Sequence, residues 1–76
     1  MREIIEWVTS HLVDDPTAVE ITEARGERST TYEVRVAPED MGKVIGRGGR
    51  TARAIRALAK AFGPRLGENA FVRIVD

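Results

Sequence analysis

The sequence predicts an α+β domain in which helices cover one face of a three-stranded sheet, in the order α-β-β-α-α-β. Three observations carry that expectation. Short stretches near residues 30–36 and 70–75 alternate apolar and polar side chains with a period of two. Other stretches place their apolar side chains on one side of a helical wheel, and proline or glycine punctuates the junctions between them. The 76 residues are read as one domain, spanning 1–76. A chain of this size buries only about 60–65% of the surface its unfolded form exposes and cannot be divided further.

Taken in order, Ile4, Ile5, Val8 and Leu12 share one side of a helix from about Arg2 to Val13, with Glu3, Glu6 and Ser10 turned away. Asp14-Asp15-Pro16 ends it, because proline forces the residue before it out of the helical region. Val19 and Ile21 alternate with Glu20 and Thr22 as a half-buried strand would, and Arg25-Gly26-Glu27-Arg28 supplies a turn. From Thr30 to Val36, Tyr32, Val34 and Val36 face one way and Thr31, Glu33 and Arg35 the other, so the two strands form a hairpin. Pro38-Glu39-Asp40 has the composition of a helix start, and Met41, Val44 and Ile45 share an apolar side before Gly46 stops the helix. A longer helix runs from Arg50 to Phe62 and ends at Gly63-Pro64, read as a C-cap glycine before a residue that cannot continue it. On this helix Ile55, Leu58 and Phe62 form the side expected to hold it to the sheet, opposite Arg50, Arg53, Arg56 and Lys60. Ala70 to Val75 closes the chain as a strand with Val72 and Ile74 on one face.

Composition excludes several functions. With no cysteine, neither disulfides nor a thiolate metal site can supplement the core, and a reducing cytoplasmic setting is expected. The N-terminal stretch carries acidic and polar residues within its apolar pattern, unlike a signal peptide or a membrane span. No metal or cofactor is implied. His11 is the single histidine and is read as a helix-packing residue, Asp14 and Asp15 as a solvated helix end, and Trp7 as packing at the core edge or at a subunit contact. Net charge is zero, yet the charge is polarised: residues 1–40 hold four basic and ten acidic side chains, residues 41–76 eight basic and two acidic.

The positive half centres on Val44 to Gly63, where glycine at 46, 48 and 49 opens a helix whose first turns carry Arg47, Arg50 and Arg53. The N-terminal end of a helix is already partly positive, and each cation there costs about 0.3–1 kcal/mol at low salt. An anion at that end removes the conflict, because backbone N–H groups, helix dipole and arginines then act together. The glycines point the same way, since they let backbone lie flat against a ligand. A dinucleotide fingerprint begun at Gly46 would need glycine where Thr51 stands, and no Lys-Ser or Lys-Thr pair completes a P-loop. Nucleic-acid backbone is the polyphosphate that fits best.

These residues resemble a family. Val44-Ile45-Gly46-Arg47-Gly48-Gly49, followed by Ile55, is similar to the signature of KH domains, with Gly46-Arg47-Gly48-Gly49 as the G-x-x-G tetrad. The element order resembles the type II arrangement. Leu12-Val13-Asp14-Asp15-Pro16, Met41-Gly42-Lys43 and Arg73-Ile74-Val75-Asp76 extend the likeness over the chain to the small bacterial single-KH RNA-binding proteins of the KhpA kind. Gly48 departs from the polar residue more usual at its position. The resemblance implies a four-nucleotide single strand of RNA, its backbone clamped by the loop and its bases in an apolar groove. Gly46 and Gly49 would allow the turn, and Arg47 and the Gly48 amide would meet phosphate. Lys43, Arg50 and Arg53 would flank the strand, while Val44, Ile45, the first turns of the long helix, Val34 and Val36 would floor the groove. It further implies an RNA chaperone or post-transcriptional regulator without enzymatic activity, a homodimer, and a heteromer with a larger KH-containing bacterial protein. Two rivals remain: an interaction module whose groove no longer binds RNA, and a helix-turn-helix DNA binder that would prefer duplex to single strands.

Overall fold

The computed structural model describes residues 1–75; Asp76 lies outside the described residues. Helix α1 (Arg2–Leu12) buries Ile5 and Thr9 and half-buries Ile4, Val8 and Leu12, the i, i+4 spacing that sets an apolar stripe on one face. Val13 turns extended, and Pro16 opens a single 3₁₀ turn, Pro16–Ala18, that delivers the chain to β1 (Glu20–Arg25). A tight turn closed by the Gly26 N–H on the Ser29 carbonyl (2.7 Å) leads into β2 (Thr30–Arg35), antiparallel to β1 from Arg25 opposite Thr30 to Glu20 opposite Arg35.

After a 3₁₀ turn at Pro38–Asp40, the chain forms the five-residue α2 (Met41–Ile45), a second 3₁₀ turn at Arg47–Gly49, and α3 (Arg50–Phe62). A final 3₁₀ turn, Pro64–Leu66, precedes β3 (Ala70–Val75), which runs parallel to β2 with Thr30 opposite Ala70 and Arg35 opposite Val75. The helical crossover between β2 and β3 is what a parallel pair needs. The sheet order is β1-β2-β3, so β2 is central and β3 an edge. The expected element order is the observed one.

Ile21, Tyr32, Val34, Ala70 and Val72 cover the helical face of the sheet and meet Ile5, Val44, Ile55 and Ala59 in one core. Tyr32 is buried with its hydroxyl donating to the Glu68 carboxylate, and burial together with that acceptor pushes the phenol pKa up to about 12. One expectation needs correction. Leu58 and Phe62 do not fix α3 to the sheet: they remain 37% and 38% exposed, while Ala52, Ile55 and Ala59 form the buried face. Alanine at 52 and 59 brings the helix close to the sheet, and that approach turns the larger residues outward. Gly63 also differs in its reason. Its φ of −50° is ordinary helical backbone, and glycine is needed because a Cβ would stand 2.8 Å from the Glu68 carbonyl oxygen, whose own N–H donates to the Gly63 carbonyl. The positive φ of that connection falls on Gly67.

Candidate nucleic-acid interface

The loop between α2 and α3 runs through positive-φ backbone at Gly46 (φ 77°), Gly48 (φ 64°) and Gly49 (φ 81°). The Gly46 N–H donates to the Gly42 carbonyl (2.9 Å) and the Gly49 N–H to the Gly46 carbonyl (3.1 Å), which fastens both ends of the turn. At Gly46 a Cβ would come within 2.3 Å of the Thr51 hydroxyl and 2.8 Å of the Thr51 backbone nitrogen, so glycine is required by space as well as by φ. Gly48 faces open space on its Cβ side.

No side chain caps the start of α3, and no acidic residue occupies its first turn. Its first N–H groups therefore have neither a side-chain acceptor nor a neighbouring carboxylate, the arrangement that receives an anion. Among the described residues, Arg47, Arg50, Arg53, Arg56 and Lys60 have no carboxylate within ion-pair distance, whereas Arg2, Arg25, Lys43 and Arg73 do. Arg53 has another task as well. Its guanidinium donates to the Gly48 carbonyl at 2.8 Å, which fixes the loop from the first turn of the helix and leaves its remaining N–H groups outward.

Lys43, expected beside the strand, has carboxylate partners within the chain. Its ammonium donates to Asp14 and, at 3.4 Å, to Asp40, and the Asp14 hydrogen bond is the main reason its pKa is raised. Asp40 is buried and accepts from the Asp15 backbone N–H (3.0 Å); that bond, ahead of Lys43, holds its carboxyl below the usual range. The side chain of Lys43 thus belongs to a junction between the end of α1 and the start of α2.

A groove of about 290 Å³ opens beside the loop, lined by Met41 and Ile45 of α2, Gly49, Ala52, Arg53 and Arg56 around α3, and Ile74 of β3. Its floor is apolar and its polar side chains are two arginines. The expected floor is corrected here: Val44 and Val34 are 0% exposed and Val36 is buried, so all three are core beneath the groove. Of the other residues expected at the site, Ile45, Arg47, Gly48, Arg50 and Arg53 are exposed and Gly46 and Gly49 half-buried. Sequence reasoning missed Met41, Arg56 and Ile74. The available signal was that Met41 precedes Ile45 by one helical turn and that Ile74 continues the inward face of β3 beyond Val72. Trp7 does not line the groove: it is 64% exposed, with the His11 ring against it at 4.2 Å and the His11 Nδ1 bonded to the Trp7 carbonyl at 2.8 Å.

No helix is long and apolar enough to cross a membrane among the described residues. A family model described as the KhpA/KhpB KH domain matches residues 2–74. The chain is 47% identical over 75 residues to the RNA-binding protein KhpA of Caldanaerobacter subterraneus subsp. tengcongensis, covering 99% of this chain and 100% of that one. It is 41% identical over 76 residues to the protein of that name from Listeria monocytogenes, covering both chains fully. To the Aquifex aeolicus protein of that name it is 38% identical over 76 residues, covering 100% of this chain and 96% of that one. No solved structure gives a significant match.

Proposed function

The chain belongs to the KhpA/KhpB KH-domain family, and from that premise we propose that it is a non-enzymatic protein that binds single-stranded RNA through the Gly46–Gly49 loop and the groove beside it. The observation that carries this reading is the coincidence, at one place, of an uncapped helix start, positive-φ glycine backbone and arginines with no carboxylate partner among the described residues. A phosphate seated there meets backbone N–H groups and the positive helix end together, with Arg47 and Arg50 at its sides. Bases then lie over Met41, Ile45, Ala52 and Ile74, and Arg53 and Arg56 supply donors along one wall. No aromatic side chain lines this groove, so affinity is modest and strongly salt-dependent.

A protein with one such site acts on RNA in the cytoplasm as a chaperone or post-transcriptional regulator rather than as a catalyst, and two copies raise avidity without new contacts. Homodimerisation, and assembly with a larger KH-containing partner, are part of this proposal; exposed Leu58 and Phe62 on α3 offer apolar surface for it.

The test is the double substitution Arg47→Asp with Gly48→Asp, assayed by fluorescence anisotropy on an unstructured fluorescein-labelled RNA. Affinity should fall by roughly tenfold or more, because a phosphate contact is replaced by like charge, while circular dichroism stays unchanged. Unchanged RNA binding by a folded variant would defeat the reading. Tighter binding of duplex DNA than of single strands would favour the helix-turn-helix alternative.

A further inference from the structure

Phe71 is one of the few aromatic residues in the chain, and it stands 45% exposed on the edge strand β3. It alternates out of the core between buried Ala70 and Val72. Beside it lies a second depression of about 280 Å³, lined by Arg56, Lys60, Ala70, Phe71 and Val72. Arg56 lines both this depression and the groove at the loop, so the two are continuous surface divided by one side chain. The Arg56 guanidinium donates to the Val72 carbonyl at 3.4 Å, which holds it at that boundary.

Resting on the RNA-binding reading above, we propose that the RNA track continues past Arg56, and that one further nucleotide stacks on Phe71 with its phosphates between Arg56 and Lys60. Three points carry the assignment. Arg53, Arg56 and Lys60 follow one another at three and four residues on α3, a single stripe of cations rising about 4.5 and 6 Å per step, on the scale of a nucleotide in an extended strand. None of them has a carboxylate partner among the described residues, so the stripe is complementary to a polyanion and not already neutralised. The depression also pairs those charges with an exposed ring, the combination of phosphate contact and stacking platform that holds single strands without reading their sequence. A protein partner fits less well, since apolar patches at protein interfaces are not characteristically walled by lysine.

The experiment compares an unstructured four-nucleotide RNA of mixed A, U and C with an eight-nucleotide extension of the same sequence, by anisotropy. Its measure is the ratio of the two Kd values in each variant, so that extra binding registers cancel between variants. In Phe71→Ala the gain from lengthening should shrink by about tenfold relative to the starting protein, while the four-nucleotide Kd stays within twofold. Phe71→Trp should keep the gain, and Lys60→Ala should lower the salt slope on the long RNA only. A gain unaffected by Phe71→Ala overturns the extension, as does an equal loss on both RNAs. A change in sedimentation mass with the length gain intact would also overturn it and assign Phe71 to a protein contact. Failure of the starting protein to bind either RNA would defeat the parent reading, whereas four-nucleotide binding that is lost in the Arg47→Asp, Gly48→Asp variant but indifferent to Phe71 removes the extension alone.

Discussion

Lys43 lies in the middle of α2 and Arg47 four residues on, in the turn that follows the helix, and the protein treats their charges in opposite ways. Lys43 is held by Asp14 and Asp40, and Asp40 in turn accepts the Asp15 backbone N–H. Arg47 stands exposed with no carboxylate among the described residues, at a helix start with no acidic side chain in its first turn. The first arrangement is closed: every charge in it has a partner within the chain, so its work is to join α1 to α2. The second is open, and an open cluster of like charge is stable only because solvent screens it until a counter-charge arrives. Net charge conceals this difference and residue type does not reveal it. Pairing distinguishes a structural cation from one available to a ligand.

The strongest way to break this division is Asp40→Ala. The substitution strands the Asp15 N–H and leaves Lys43 with one partner. Thermal unfolding followed by circular dichroism should show a melting temperature lower by about 5–10 °C, with RNA affinity of the folded protein within threefold. The pH dependence has a definite sign. Because the Asp15 N–H holds the Asp40 carboxyl below the ordinary carboxylate range, its contribution is complete above that range and is lost as pH falls through the lower folded-state pKa. Stability of the starting protein should therefore drop more steeply in acid than that of Asp40→Ala. Loss of RNA binding without loss of stability would place Asp40 in the interface and abolish the distinction.

The six regular elements were legible in the sequence because each carries its own period: the alternation of Tyr32, Val34 and Val36, the turn-spaced Ile5, Val8 and Leu12, and the proline and glycine stops. The observed α3 and β3 begin and end at the expected residues. The glycine loop was legible for a similar reason, since its residues are consecutive. What escaped was tertiary. The partner of Lys43 lies 29 residues away at Asp14, and nothing in the local pattern of either stretch announces the pair. The burial of Val44 beneath the loop and the outward turn of Leu58 and Phe62 depend on how closely α3 approaches the sheet. A helical wheel ranks apolar residues by type, and so it favoured the large side chains over Ala52 and Ala59, which occupy the contact.

A smaller effect sharpens the comparison through salt. In Arg47→Ala the slope of log affinity against log salt should become shallower by about 0.7, the contribution of one phosphate contact on a single strand. Lys43→Ala should leave that slope unchanged, because its charge is already matched by Asp14 and Asp40. Anisotropy titrations on one unstructured RNA between 50 and 200 mM salt would separate them, on the order of the ionic strengths where counterion release dominates. Equal reductions in slope would mean that Lys43 leaves its carboxylates when RNA binds, and the closed junction would then be part of the open one.

The smallest effect belongs to Gly48, and its size follows from geometry. Gly46 and Gly48 both hold positive-φ backbone, yet a side chain at 46 would collide with Thr51 whereas one at 48 would meet nothing within 4 Å. Asparagine tolerates the left-handed region better than other residues with a Cβ, and it narrows the unfolded ensemble relative to glycine. Gly48→Asn should therefore shift the melting temperature by no more than about 3 °C in either direction, and RNA affinity by no more than about twofold. The Gly48 carbonyl still accepts from Arg53, and the backbone N–H remains available to phosphate. A large loss of affinity in a folded Gly48→Asn protein would mean that RNA approaches so closely at this residue that no side chain fits. The open region would then extend over the outer surface of the loop itself, beyond the arginines beside it.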